Sequence, residues 1–137
     1  MTTPDPPADV ETTTYVAGEA EPVHGAQLRV RVDYPNSDAV VLTVDGEVDA
    51  ATIDHLERIF WPRLSAQVTT IVVDLTGVEF LGVPGLHLLH QAHLRTQTSS
   101  TALRVVANDH ETLHHLHVAG LDLELDWYPT VQAALGG

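Results

Sequence analysis

The chain has 137 residues, 44% of them hydrophobic, which suits one domain of ordinary size with a buried core. It contains no cysteine, so disulfides, thiolate metal sites and cysteine nucleophiles are excluded. Nineteen acidic residues stand against six arginines and no lysine, for a formal charge of −13. Such a charge opposes nucleic-acid backbones and anionic membranes and suits a basic protein partner, although an acidic surface also serves solubility alone.

Residues 1–26 hold four prolines and five acids, with no arginine and few large apolar groups. That composition predicts a disordered acidic tail, with a short strand near Tyr15 and Val16, ahead of a domain at 27–137. MTTPDPPADVETTTY lacks the basic start and apolar stretch of a secretory signal, and no apolar run approaches the roughly 20 residues of a membrane span. A cytoplasmic protein is the expectation. From Leu28, LRVRVDY alternates apolar and polar residues as a half-buried strand does; PNSD supplies a turn, and AVVLTVDGEVD reads as the second strand of a hairpin. Asp49 then stands as an N-cap before AATIDHLERIFWPRL, in which Ile53, Leu56, Ile59 and Phe60 mark an amphipathic helix ending near Pro62.

TTIVVDL is a short apolar run that fits a strand buried on both faces. A loop with Gly82, Pro84 and Gly85 follows, and PGLHLLHQAHLRTQT makes the second helix. STALRVVAN is another strand. Asn108 or Asp109 can cap DHETLHHLHVAGL, which Gly120 can close. LDLELDW reads as an alternating edge strand, and PTVQAALGG as a terminal helix. The order β-β-α-β-α-β-α-β-α predicts an α/β fold with a mixed, mostly parallel sheet packed with helices. Sites in such sheets gather beyond the C-terminal ends of the strands, where the loop after TTIVVDL falls.

Three segments resemble the STAS domain of bacterial anti-sigma factor antagonists. VDGEVDAATIDHLE (residues 44–57) is similar to the family's strand, Gly-Glu-x-Asp and helix signature. IVVDLTGVEFLGVPGLHLL (71–89) resembles the strand, Phe-containing loop and helix start that carry the family's phosphorylation site. LRVVANDHETLHHLHVAGLD (103–122) resembles its later strand and helix. The resemblance implies a non-enzymatic module that binds an anti-sigma factor, itself a serine kinase, and so frees a sigma factor. It also implies a switch, since phosphorylation of a serine at the second helix start breaks the complex by adding about −1.5 to −2 of charge. Aligned through Phe80, Gly85 and Leu86, Gly82 stands for the family's aspartate, Val83 for the first serine and Pro84 for the phosphorylated serine. Residues 77–95 contain no Ser, Thr or Tyr, so the resemblance implies a binder without the switch. The partner-binding surface it implies comprises Glu47, Asp49, Phe80, Leu81, Gly82, Val83, Pro84, Gly85, Leu86 and His87.

Other features leave alternatives open. Asp74 ends the buried strand and can either form an Asx-type turn or orient loop amides, and Glu79 makes no acid–base pair with it. On the second helix, Leu86 and Leu89 are expected on the sheet, with Leu88 and His87 at an exposed edge. His87, His90 and His93, and separately His110, His114 and His117, recur at helical spacing, yet no His-Glu-x-x-His motif is present and no metal is assigned. A STAS module that senses a small ligand such as a nucleotide, or a degenerate scaffold, remains the alternative function, although neither GxGxxG nor a Walker A loop occurs. There is no nucleophile elbow, so no catalytic residue and no cofactor are assigned. Homodimer formation stays open.

Overall fold

The computed structural model describes residues 10–16, 27–66 and 68–136. Six strands, β1 (Val10–Val16), β2 (Gln27–Asn36), β3 (Ala39–Val48), β4 (Thr70–Leu81), β5 (Ala102–Val106) and β6 (Asp126–Tyr128), form one sheet in sequence order. Helices α1 (Ile53–Leu64), α2 (Val83–Thr96) and α3 (His110–Val118) make the crossovers between the last four strands, and α4 (Val131–Gly136) follows β6. Pairing is antiparallel for β1–β2 and β2–β3 and parallel from β3 to β6. The α/β mixed sheet expected from the order of elements is therefore present.

The strands sort their side chains by period two. Leu28, Val30, Val32, Leu42, Val44 and Val73 face a core shared with Phe60 of α1, Leu88 and Leu89 of α2, and Leu116 of α3. Val41, Val72 and Val106 point the other way, where Ala134 of α4 covers them. Among the described residues, three helices on one face and one on the other explain why β4 reads as a continuous apolar run while β2 alternates.

Several boundaries differ from the sequence-based expectation. The strand expected near Tyr15 and Val16 extends over Val10–Val16 and pairs with β2 from Val10↔Asp33 to Val16↔Gln27. VETTTYV is rich in β-branched residues, and that local preference prevails over the acidic, proline-containing surroundings. The rest of the expected tail lies outside the described residues. Helix α1 passes through Pro62 to Leu64, and Ser65 N–H donates to the Trp61 carbonyl at 3.1 Å, so the proline sits inside the last turn and does not stop it. Residues 121–125, expected in a strand, form a helical turn: Leu125 N–H donates to the Leu121 carbonyl at 2.8 Å. Leu121 and Leu125, four residues apart, are both buried, while Leu123 is 89% exposed. Spacing by four, which the alternation also permits, determines this segment and leaves β6 only three residues long.

The largest difference is at β4, which runs six residues past the TTIVVDL run. Two bulges lengthen it. Thr43↔Asp74 is followed by Asp45↔Gly77, and Gly46↔Val78 by Glu47↔Phe80, so β4 accommodates an extra residue at each shift. Gly46, opposite the second shift, has φ of +106°, a conformation that favours glycine.

Candidate functional site: the β4–α2 elbow

The second bulge determines what the end of β4 displays. Val78 and Leu81 remain in the core, whereas the inserted Glu79 and its neighbour Phe80 both turn outward, Phe80 to 47% exposure. The expected long loop shrinks to Gly82. Its N–H donates to the Val48 carbonyl at 2.8 Å, which ties the end of β4 to the end of β3. Gly82 is the N-cap of α2, and Val83 and Pro84 are its first two residues. Proline has no N–H to satisfy there, and the Gly82 carbonyl accepts from Gly85 N–H at 3.0 Å and Leu86 N–H at 3.1 Å. The helix therefore starts without a side-chain cap.

Gly85 is buried against β3 and β4: a methyl group there would come within 2.7 Å of Val48 Cγ1 and 2.6 Å of Leu81 Cδ1. The absence of a side chain lets α2 begin close to both strands. Val83, two residues earlier and so on the opposite side of the helix, is 76% exposed, and His87 is exposed as well. Leu88 and Leu89 are the buried pair on α2, and Leu86 is half-buried against the core. This corrects the expectation that Leu86 would be inside and Leu88 at the edge. The helix begins two residues before Gly85, and its packing stripe passes through Gly85, Leu88, Leu89 and Ala92.

The acidic corner lies beside this elbow. Glu47 pairs with Phe80 across β3 and β4. Asp49 does not cap α1 itself. Its Oδ1 accepts from Ala51 N–H at 2.9 Å and Thr52 N–H at 3.1 Å, so it caps the turn leading into the helix, whose N-cap residue is Thr52. Thr52 is fully buried; its hydroxyl donates to the Glu47 carbonyl at 2.7 Å and accepts from Asp49 N–H at 3.0 Å. Sequence reading missed this residue, although a Thr three positions after an Asp is a recognisable local bonding pattern.

Ten residues implied by the resemblance thus meet at the C-terminal ends of β3 and β4. They are not equally accessible. Leu81, Gly82 and Gly85 are buried and shape the elbow, whereas Glu47, Asp49, Phe80, Val83, Pro84, Leu86 and His87 retain exposed surface. Asp74 accepts from Thr76 N–H at 2.9 Å and Thr76 Oγ1 at 2.7 Å, an Asx-type arrangement at the first bulge, ahead of the elbow. An open hollow of about 550 Å³, lined by Ser65, Arg95, Ser99 and Thr101 among others, lies at the opposite end of the strands.

The histidines act individually. His90 Nδ1 is 3.2 Å from Glu124 Oε1, His117 Nδ1 is 2.8 Å from Asp122 Oδ2, and Gln97 Nε2 is 3.3 Å from His93 Nε2. Among the described residues, no three His, Cys, Asp or Glu side chains are grouped to hold a metal ion. His115, outside both histidine trios, reaches the elbow from α3, with Nδ1 3.1 Å from the Leu81 carbonyl. Its position between the buried Thr112 and Leu116 was the available signal.

Among the described residues, no helix is long and apolar enough to cross a membrane. Comparison with known proteins agrees with the architecture. The sequence pattern of the STAS domain matches residues 31–134. The anti-sigma-F factor antagonist RsfB of Mycobacterium tuberculosis is 35% identical over 97 residues, covering 71% of this chain and 79% of RsfB. RsfA, an anti-sigma-F factor antagonist of the same organism, is 28% identical over 117 residues, covering 83% of this chain and 89% of RsfA. A solved anti-sigma factor antagonist from Mycobacterium paratuberculosis superposes with a TM-score of 0.73 at 31% identity, covering 80% of this chain and 92% of that one. Unphosphorylated SpoIIAA shares the fold, with a TM-score of 0.66 at 15% identity over 77% of this chain and 92% of its own. This chain belongs to the STAS domain family.

Proposed function

We propose that this protein is a non-enzymatic anti-sigma factor antagonist: it docks an anti-sigma factor on the β4–α2 elbow and so regulates transcription that depends on a sigma factor. The names of the relatives supply the partner class. The observation that carries the reading is the elbow itself, where Phe80 and Val83 stand exposed at the strand ends beside Glu47 and Asp49. Exposed aromatic and aliphatic groups rimmed by charge are the usual make-up of a protein docking surface. The chain's negative charge favours a partner with basic side chains around the contact.

The same reading makes the interaction independent of serine phosphorylation. In the alignment that the resemblance implies, Pro84, the second residue of α2, stands for the family's phosphorylated serine, and no hydroxyl side chain occurs from residue 77 to 95. A kinase-type partner would find no acceptor on the elbow, and binding would persist in the presence of ATP.

The test is to mix the protein with the mycobacterial anti-sigma-F factor for which the relatives are named, with and without ATP. Complex formation is read by size-exclusion chromatography with light scattering, and phosphate by intact mass. A complex unchanged by ATP, with no added phosphate, is the expected result. Phosphate on residues 77–95 would overturn the lost switch. Absence of a complex with this factor and with the other anti-sigma factors of the source cell would overturn the role. Pro84→Ser should gain phosphate and lose the complex when ATP is present.

A further inference from the structure

We infer that Phe80 is a preorganised anchor that inserts into an apolar pocket on the partner, and that His115 on α3 is the positioning residue that holds it outward. This rests on the docking role proposed above and adds both a residue and a partner chemistry to it.

Two contacts fix the ring. It lies over the Gly82 backbone, so closely that a methyl group on Gly82 would meet Phe80 Cε2 at 2.9 Å. The His115 imidazole stands edge-on to it, with centroids 6.5 Å apart and planes at 82°. His115 is fixed in turn, because its Nδ1 donates to the Leu81 carbonyl at 3.1 Å. That carbonyl takes its partner from α3, since β5 pairs with β4 only as far as Asp74↔Val106 and, among the described residues, no strand flanks the last residues of β4 on that side. The bond therefore selects the Nδ1–H form and sets the plane of the imidazole against Phe80.

A side chain already held in its bound position loses less entropy on association, and aromatic anchors of this kind dominate docking energies. The surroundings specify the pocket's rim. Glu47 pairs with Phe80 across the sheet, Glu79 precedes it in the chain, Asp49 follows at the end of β3, and no arginine or lysine occurs from residue 64 to 94. The partner thus presents an apolar pocket for a phenyl ring with basic side chains around it.

The test uses the full chain with the mycobacterial anti-sigma-F factor as probe, together with NMR of the protein alone. Phe80→Ala should weaken binding about 30-fold or more, as loss of an anchor does. His115→Ala should weaken it about tenfold in the wild-type background and little in the Phe80→Ala background. His115→Asn, whose amide can replace the Nδ1–H donor, should recover part of that loss. In the free protein, imidazole nitrogen spectra should show His115 protonated at Nδ1. His115→Ala should move the Phe80 ring and Gly82 amide signals while leaving Ser99 and Thr101, at the other end of the strands, in place. Unchanged Phe80 and Gly82 signals, or additive losses in the double variant, would overturn the inference. A homodimer abolished by Phe80→Ala would assign the anchor to a second copy and overturn the partner named here. If the wild-type protein fails to bind the probe, the docking reading loses that partner, while the NMR arms still decide whether His115 positions Phe80.

Discussion

The starts of α2 and α3 solve the same physical problem in opposite ways. Every helix begins with amide donors that have no partner within the helix. At α3, Asp109 satisfies two of them, its Oδ2 accepting from Glu111 N–H and Thr112 N–H at 3.1 Å each. That helix is also closed with care: Gly120 N–H donates to the His117 carbonyl and Leu121 N–H to the Leu116 carbonyl, both at 2.9 Å, with Gly120 at φ +78°. At α2 no side chain caps the start. One donor is removed by proline, Gly85 N–H closes a tight turn onto the Gly82 carbonyl at 3.0 Å, and Gly82 N–H itself is used by Val48. The α3 start is built with a charged side chain, and the α2 start is built by subtraction. What remains exposed at the start of α2 is the apolar surface of Val83, on which the proposed docking role rests.

Mutations can break this contrast, and the largest effect should come from Gly85. Ordinarily a glycine inside a helix costs stability, and replacing it gains up to about 1 kcal/mol. Gly85→Val should instead lose about 1–3 kcal/mol in urea unfolding, because the new side chain has to displace Val48 and Leu81 in a packed core. Gly120→Ala meets no neighbour within 4 Å, so its loss of about 1–2 kcal/mol would arise from backbone conformation alone. Asp109→Ala should cost about 1 kcal/mol. The corresponding gain at α2 should not appear. Gly82→Ser adds a good capping residue, yet its Cβ would come 2.9 Å from Phe80 and 3.2 Å from the Val48 carbonyl, so a rise in thermal midpoint would show that the elbow is looser than described.

The same contrast marks how far the sequence could be read. Asp109 and Gly120 use standard residues at standard positions, and α3 was legible to within two residues. The element order, the opening hairpin and the placement of Pro84 in the first turn of α2 were legible too. The end of β4 was not. Its final six residues are strand because β3 runs beside them through two bulges, and no local pattern in TGVEFL reveals a bulge. The outward turn of Phe80 therefore depends on register, which is a long-range property. His115 was missed for a related reason. Its bond to Leu81 spans 34 residues, and periodicity on α3 drew attention to the exposed His110, His114 and His117. In both cases the residue type was visible but its partner was distant.

The smallest expected effect bears most directly on the elbow. Pro84 could be present because the fold requires it or because a hydroxyl is unwanted, and Pro84→Ala separates the two. Pro84 is at the second position of α2, where an alanine is also accepted, so the main loss is the restriction that proline places on the unfolded chain, about 0.4–1 kcal/mol. A loss within that range, with binding retained, would mean that the fold tolerates other residues here and that serine is excluded by function. A loss above about 2 kcal/mol would place Pro84 among the few substitutions that remove a specific structural constraint. The absent hydroxyl would then be a by-product of building the helix start, and Pro84 would no longer support a binder without a switch.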